Sequence, residues 1–161
     1  MDRLELIDML NDLQVEYTVI EHPAAYTIDE IDSFGLPNAD SIVKNLFLRD
    51  DKKKSYYLLV IRKDKTINLK ELRGSLGSRP LSFASEDDLF HYLHLTKGSV
   101  TPMGILNDTE RKVQVFMDTD IMEFDMIGIH PNENTATLWL SPSDLQSIIE
   151  KHGNAVGFLK I

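Results

Sequence analysis

Ile42-Val43-Lys44-Asn45-Leu46-Phe47-Leu48-Arg49 and Tyr56-Tyr57-Leu58-Leu59-Val60-Ile61-Arg62 are two β-rich runs separated by the polar stretch Asp50-Asp51-Lys52-Lys53-Lys54. The pattern predicts a hairpin. The second run is apolar at every position from 56 to 61, which suits a central strand covered on both faces. Outward from this hairpin the chain alternates irregularly between helix and strand signals. Leu4, Leu6, Ile7, Leu10 and Leu13 recur at helical spacing and predict a helix over 2–13. A short strand, Tyr17 to Glu21, follows and ends at His22-Pro23. Thr27-Ile28-Asp29-Glu30 has the form of a capping box, opening a short helix that stops near Gly35 and Pro37.

Beyond the hairpin, Asn68 and Glu71 open a helix that closes near Gly74 or Gly77. Ser85 and Asp88 open another, carrying Leu89, Phe90, Leu93 and Leu95. Gly98 to Gly104 reads as a loop bracketed by glycines, and Val113 to Met117 as a strand. Asp120 to Phe124 reads as a short helix, while Gly128 to Pro131 and Thr135 to Leu140 are strand-like. Ser141, Pro142 and Asp144 start a last long helix that Gly153 ends. Val156 to Lys160 returns as a closing strand. Without regular βαβ alternation, the expected class is α+β, with a mixed, mainly antiparallel sheet flanked by helices.

The 161 residues fit one domain spanning 1–161 and suffice to build a core without disulfides or a structural metal. No cysteine is present, which excludes thiol catalysis and cysteine-ligated zinc. No signal-peptide core and no run of bilayer-spanning length occurs, so the expected location is cytoplasmic, away from any membrane. The net charge of −9 argues at first against nucleic acid. Its distribution is uneven: Lys44 to Arg79 holds eleven Lys or Arg and four acids, while the remainder holds six and 22. That asymmetry suggests one basic face on an acidic body, although lysines that merely solvate a hairpin and a helix would give the same pattern.

Glycine-rich nucleotide fingerprints, P-loops and nucleophile elbows are absent. His91 and His94 could share a helical face but lack a third ligand, so a solvated helix edge accounts for them better than a metal. Three features remain. Lys44 is a cation within an apolar strand, placed either at a strand end in solvent or aimed into a cleft as a fixed charge or proton donor. The Gly98–Gly104 segment is either a plain connection or a backbone cradle whose N–H groups hold an oxyanion. In Gly128-Ile129-His130-Pro131-Asn132-Glu133-Asn134-Thr135, His130 could bind a ligand or act as a base, while the asparagines equally suit turns.

Taken in order and spacing, several segments resemble the YbaK/ProX family of aminoacyl-tRNA deacylases. They are His22-Pro23-Ala24, Lys44 to Asp50, Leu81-Ser82-Phe83-Ala84-Ser85, Gly98-Ser99-Val100-Thr101-Pro102, Asn107-Asp108, His130-Pro131-Asn132 and Asn134-Thr135-Ala136-Thr137. The likeness runs from about Tyr17 to the C-terminus and is greatest to the free-standing branch that deacylates alanyl-tRNA(Pro). It implies a catalytic Lys44 gripping the aminoacyl ester, and a catalytic loop of Gly98, Ser99, Val100, Thr101 and Pro102 whose amides bind the acyl group. It further implies that Asn45, Met103, Gly104 and His130 contact substrate, and that neither cofactor nor metal is needed.

The implied partner is a mischarged tRNA, foremost tRNA(Pro), with prolyl-tRNA synthetase as a further partner. Candidate phosphate contacts are Lys52, Lys53, Lys54, Arg62, Lys63, Lys65, Lys70, Arg73 and Arg79. A synthetase pocket built for proline cannot exclude alanine, because a missing methylene gives only about 1–3 kcal/mol of discrimination. A second sieve would admit alanine and leave proline outside, which predicts a small apolar-walled pocket beside Lys44. The rival readings are a cysteinyl-tRNA(Pro) or other aminoacyl-tRNA deacylase, and a binding module that senses aminoacyl-tRNA or an amino acid without turnover.

Overall fold

The computed structural model describes residues 1–161. The elements in chain order are α1 (Arg3–Asp12), β1 (Tyr17–Glu21), α2 (Ile28–Ser33), β2 (Val43–Asp50), β3 (Tyr56–Arg62), α3 (Leu69–Leu76) and β4 (Leu81–Phe83). They continue with α4 (Glu86–Leu93), β5 (Val113–Asp118), β6 (Ile127–Ile129), β7 (Ala136–Leu140), α5 (Pro142–His152) and β8 (Val156–Leu159). The strands form two sheets: five strands in the order β4-β2-β3-β5-β8, and three in the order β1-β7-β6. Pairing is antiparallel except at β3–β5 and β5–β8. The class is α+β and mainly antiparallel, as expected, but the single sheet anticipated from sequence is divided in two.

The apolar run of β3 explains the layering. Tyr56, Leu58 and Val60 point into the main core, and Tyr57, Leu59 and Ile61 into a second cluster on the opposite face. Successive strand residues alternate faces, so a strand that is apolar throughout must be covered twice. The main core is closed by Leu6 and Leu10 of α1, Leu89 and Leu93 of α4, Leu145, Ile148 and Ile149 of α5, and residues of β6 and β7. Leu72 of α3 covers the other side. A third cluster, Ala25, Ile31, Ile42 and Trp139, lies under α2.

Local signals place most ends. Asp2 and Glu5 make a reciprocal capping box for α1, and Ser85 and Asp88 make one for α4. At α2 only half of the expected box forms: Thr27 accepts from Glu30 N–H, while Glu30 Oε2 turns to Tyr26 N–H at 3.4 Å. Gly77 and Gly153 end α3 and α5 in the left-handed conformation. Three details lie beyond the sequence pattern. Phe90 is exposed, unlike Leu89 and Leu93 of the same helix. Leu81–Phe83 is a strand, too short to show a period. The 98–104 loop ends at Thr101, which caps a 3-10 helix over Pro102–Asn107.

One buried ion pair joins the two halves of the larger sheet. Asp118, at the end of β5, has a fully buried side chain, and Lys65 Nζ meets its Oδ2 at 2.7 Å. Lys65 also reaches Asp120 Oδ2 at 2.6 Å, and Asp118 accepts from the N–H groups of Arg62 and Asp120. Burial pulls the Lys65 pKa down, but its hydrogen bonds to the two aspartates outweigh this and hold it above the usual lysine value. Lys65 was expected to contact phosphate. Its ammonium is instead committed to neutralising Asp118. Lys65→Met should therefore cost about 3–5 kcal/mol in urea unfolding, because it strands a buried carboxylate; Lys65→Arg should cost less.

Candidate active site

The two sheets touch at a single parallel bridge, Ile42 to Gly128. A cavity of about 300 Å³ opens at this seam. Lys44 and Asn45 enter it from the start of β2, Gly128, Ile129 and His130 from β6 and its end, and Thr137 from β7. Thr27, Ile28 and Ile31 of α2 and its cap wall one side, and Tyr26, Gly98 and Val100 another. Lys44, the 98–100 segment and His130 therefore share one cavity, although they lie far apart in sequence.

Lys44 is half-buried, and its Nζ donates to the backbone carbonyl of Lys65. The same residue that neutralises Asp118 thus also holds the Lys44 ammonium through its main chain. Asn45 Nδ2 donates to Val100 O at 3.4 Å, tying the strand to the loop, and Asn45 Oδ1 is buried without a partner. That oxygen is an acceptor left for a ligand.

The loop amides divide into used and unused donors. Ser99 N–H donates to Thr96 O, Met103 N–H to Thr101 Oγ1 and Gly104 N–H to Thr101 O. Gly98, Val100 and Thr101 N–H have no acceptor within the chain. Thr101 Oγ1 donates to His130 O at 2.6 Å and locks the loop to the end of β6. Gly98 is required twice over. Its φ is +85, and a Cβ there would stand 2.5 Å from Tyr26 Cδ1 and 3.3 Å from Tyr26 Cα.

His130 Nδ1 lies 3.1 Å from Ala136 O. A carbonyl can only accept, so Nδ1 carries the proton and Nε2 presents a lone pair. Burial, reinforced by nearby His22, pushes the His130 pKa below its ordinary value despite the bond to Ala136. The imidazole is thus neutral at pH 7. His22 repeats the motif: Nδ1 meets Pro23 O at 2.8 Å, and Nε2 accepts from Thr137 Oγ1 at 2.8 Å. The two rings lie 6.3 Å apart.

Of the residues expected to act, Lys44, Asn45, Gly98, Val100 and His130 converge. Ser99 and Thr101 are buried behind the loop, as the anchor of a turn and the cap of the 3-10 helix. Pro102, Met103 and Gly104 do not reach the cavity. Met103 is fully inside the main core, and Gly104 packs so closely on Leu93 and Leu95 that a Cβ would meet them at 3.1 and 2.6 Å. Reading the segment as loop throughout overlooked Thr101-Pro102, a cap followed by proline, which marks a helix start. Tyr26, Ile28 and Ile31 are absent from the sequence-derived site, and Thr137 enters it only as part of a motif. His22 was noticed only as part of a motif.

The cationic surface is partly neutralised by its own neighbours. Arg62 pairs with Asp64, Lys63 with Asp32, and Arg79 with Asp51, in addition to the buried Lys65 pair. Lys52, Lys53, Lys54, Lys70 and Arg73 are exposed, and none has a carboxylate within 4.0 Å.

Three comparisons bear on what such a site does. Residues 22–148 match the model of the aminoacyl-tRNA editing domain family. The chain is 48% identical over 149 residues to the prolyl-tRNA editing protein ProX of Acetoanaerobium sticklandii, covering 92% of this chain and 91% of that one. It is 36% identical to the prolyl-tRNA synthetase associated domain-containing protein 1 of Danio rerio, covering 92% and 82%. A solved structure of a proposed trans-editing enzyme for prolyl tRNA synthetase superposes with a TM-score of 0.72 at 20% identity, over 100% of this chain and 98% of that one, and shares its fold.

Gly98→Ala tests the loop geometry. Gly35, also at positive φ, has open space where a Cβ would go. Both substitutions incur backbone strain of about 1–3 kcal/mol. Chemical denaturation should show the larger loss at Gly98, where Tyr26 must also move; equal losses would refute the close approach.

Proposed function

The chain belongs to the aminoacyl-tRNA editing domain family, and on that premise we propose that it is a trans-acting deacylase that hydrolyses the ester of mischarged tRNA(Pro), with alanine as the amino acid removed. Residues 1–161 act as one editing domain. The observation that carries the reading is the convergence of a fixed ammonium, unpaired loop amides and a neutral imidazole on one cavity.

The reaction needs water to add to the ester carbonyl and the bond to the ribose oxygen to break. Negative charge develops on the carbonyl oxygen. Gly98 and Val100 N–H are preorganised donors for it, and Lys44 offsets the charge at close range. His130 Nε2, unprotonated at neutral pH, holds the attacking water and takes its proton. The ribose leaves as a hydroxyl carrying one proton, the amino acid leaves as a carboxylate, and the remaining proton passes to solvent. Asn45 Oδ1 accepts from the substrate ammonium or a ribose hydroxyl. No step requires a metal.

Specificity follows from the walls. Ile28, Ile31, Ile42, Val43, Val100 and Ile129 line the cavity. β-Branched side chains have one dominant χ1 and yield little, which makes a stiff boundary for a methyl-sized group. Proline, with its ring, is the substrate such walls reject. Lys52, Lys53, Lys54, Lys70 and Arg73, free of carboxylate partners, supply the phosphate contacts. A synthetase that releases the mischarged tRNA is the natural supplier of the substrate.

Lys44→Ala should lower deacylation of alanyl-tRNA(Pro) by about 100-fold or more, measured with labelled alanine alongside cysteinyl- and prolyl-tRNA(Pro). Undiminished turnover would remove Lys44 from the mechanism, and equal cleavage of the prolyl form would remove the sieve. The pH profile tests His130. Its neutral form is favoured by the fold, so kcat/KM should hold steady near pH 7 and fall only below 6.5, as protons fill the lowered pKa. His130→Gln should be slower and should lose that acid limb; an unchanged limb would assign it to another group.

A further inference from the structure

We propose that a second groove, beside the acyl cavity, seats the unpaired 3′ end of the RNA, with a base stacked on Phe83 and a phosphate held by Lys97. This rests on the deacylase reading and extends it to the nucleotide side of the ester. The groove has a volume of about 470 Å³ and a floor of Leu46, Phe47, Ala84 and Leu89. Asn45, Gly98 and Val100 line both it and the acyl cavity. An aminoacyl ester is one continuous molecule. With the acyl group among the isoleucines, the ribose sits at those three shared residues, and the next space along is this groove.

Its rim has the chemistry of a single-stranded RNA site. Phe83 ends β4 with 58% of its surface exposed and stacks on no other ring of the chain. Unstacked bases are taken up by such platforms. Lys97, next to Gly98, is exposed and has no carboxylate within 4.0 Å. Glu86 also lines the groove and repels phosphate, which favours Lys97 as the phosphate contact.

The backbone leaves room as well. β4 pairs only with Leu48–Asp50, so the outer edge of β2 from Asn45 to Phe47 is open apart from Ala84 N–H to Phe47 O at 3.0 Å. Following β2 onward, about 3.3 Å per residue, the path leads to the hairpin turn with Lys52, Lys53 and Lys54. The groove therefore lies between the acyl site and the unpaired cations.

The experiment uses an alanine-charged RNA hairpin with a single-stranded 3′ tail and the full-length chain. Phe83→Ala should raise KM five-fold to a hundred-fold, the range base stacking gives, with kcat at saturation unchanged. Phe83→Trp should restore KM. Lys97→Ala should flatten the plot of log affinity against log salt by about 0.7, the loss of one single-strand phosphate contact. Both side chains are exposed, so folding is not at stake. Unchanged KM and salt slope in an active protein would overturn the groove assignment alone, as would a fall in kcat without a change in KM. Failure of the wild type to cleave charged RNA would instead overturn the deacylase reading.

Discussion

The site exists because two sheets meet at a point where one of them has no side chain. Gly128 faces Ile42 across the bridge, and a Cβ there would lie 2.8 Å from Ile42 Cγ1, 2.9 Å from Trp139 Nε1 and 3.2 Å from Thr137 Cγ2. Any larger residue pries the sheets apart, since packed interiors do not yield freely. With the seam closed, the start of β2 and the end of β6 lie side by side. Lys44 comes two residues after the bridge on one strand, and His130 two residues after it on the other. A parallel bridge carries both chains in the same direction, so the cation and the imidazole arrive on the same side of the seam.

Convergence does not fix a lysine, whose stem has four rotatable bonds. Here the fixing is done through backbone. The Lys65 carbonyl receives the Lys44 ammonium, and the Lys65 ammonium is itself held by the buried Asp118. A buried ion pair contributes little net stability once both charges are desolvated. It does hold the turn after β3 in one place, and that turn sets where the Lys44 charge resides. Thr101, bonded to His130 O, performs the matching service on the opposite wall.

What the sequence made legible was local. Lys44 stood out as a cation in an apolar strand, Gly98 as a glycine beside small and polar residues, and the β3 run as a strand buried on both faces. Caps and terminal glycines marked most helices for the same reason: each is a neighbourly hydrogen bond or a backbone conformation. The α2 wall, Thr137 and the His22 ring were not legible as parts of a site, because strand register and sheet packing bring them there. At Pro102 the local signals conflict: Thr101-Pro102 suits a helix start, while Gly98 and Gly104 on either side suit a loop, and the 3-10 helix prevails. The partners of Lys65 and Lys63 lie 53 and 31 residues away, so no reading of charge runs separates a neutralised lysine from a free one.

Overall acidity and RNA binding are compatible once charge is considered by location. Outside residues 44–79 the acids far outnumber the bases, and such a surface repels a polyanion. Within that stretch, five cations, Arg49 among them, are already balanced by aspartates. The attractive surface is therefore narrower than composition suggests and is centred on the hairpin turn and α3. Repulsion elsewhere adds to attraction here, because like charges penalise misoriented encounters. On the proposed function, such a field would present the RNA to the β4–β2 side of the larger sheet, where β2 runs from its lysine-rich turn to the seam. The acidic body would then act as a guide, imposing orientation before the ester meets Lys44.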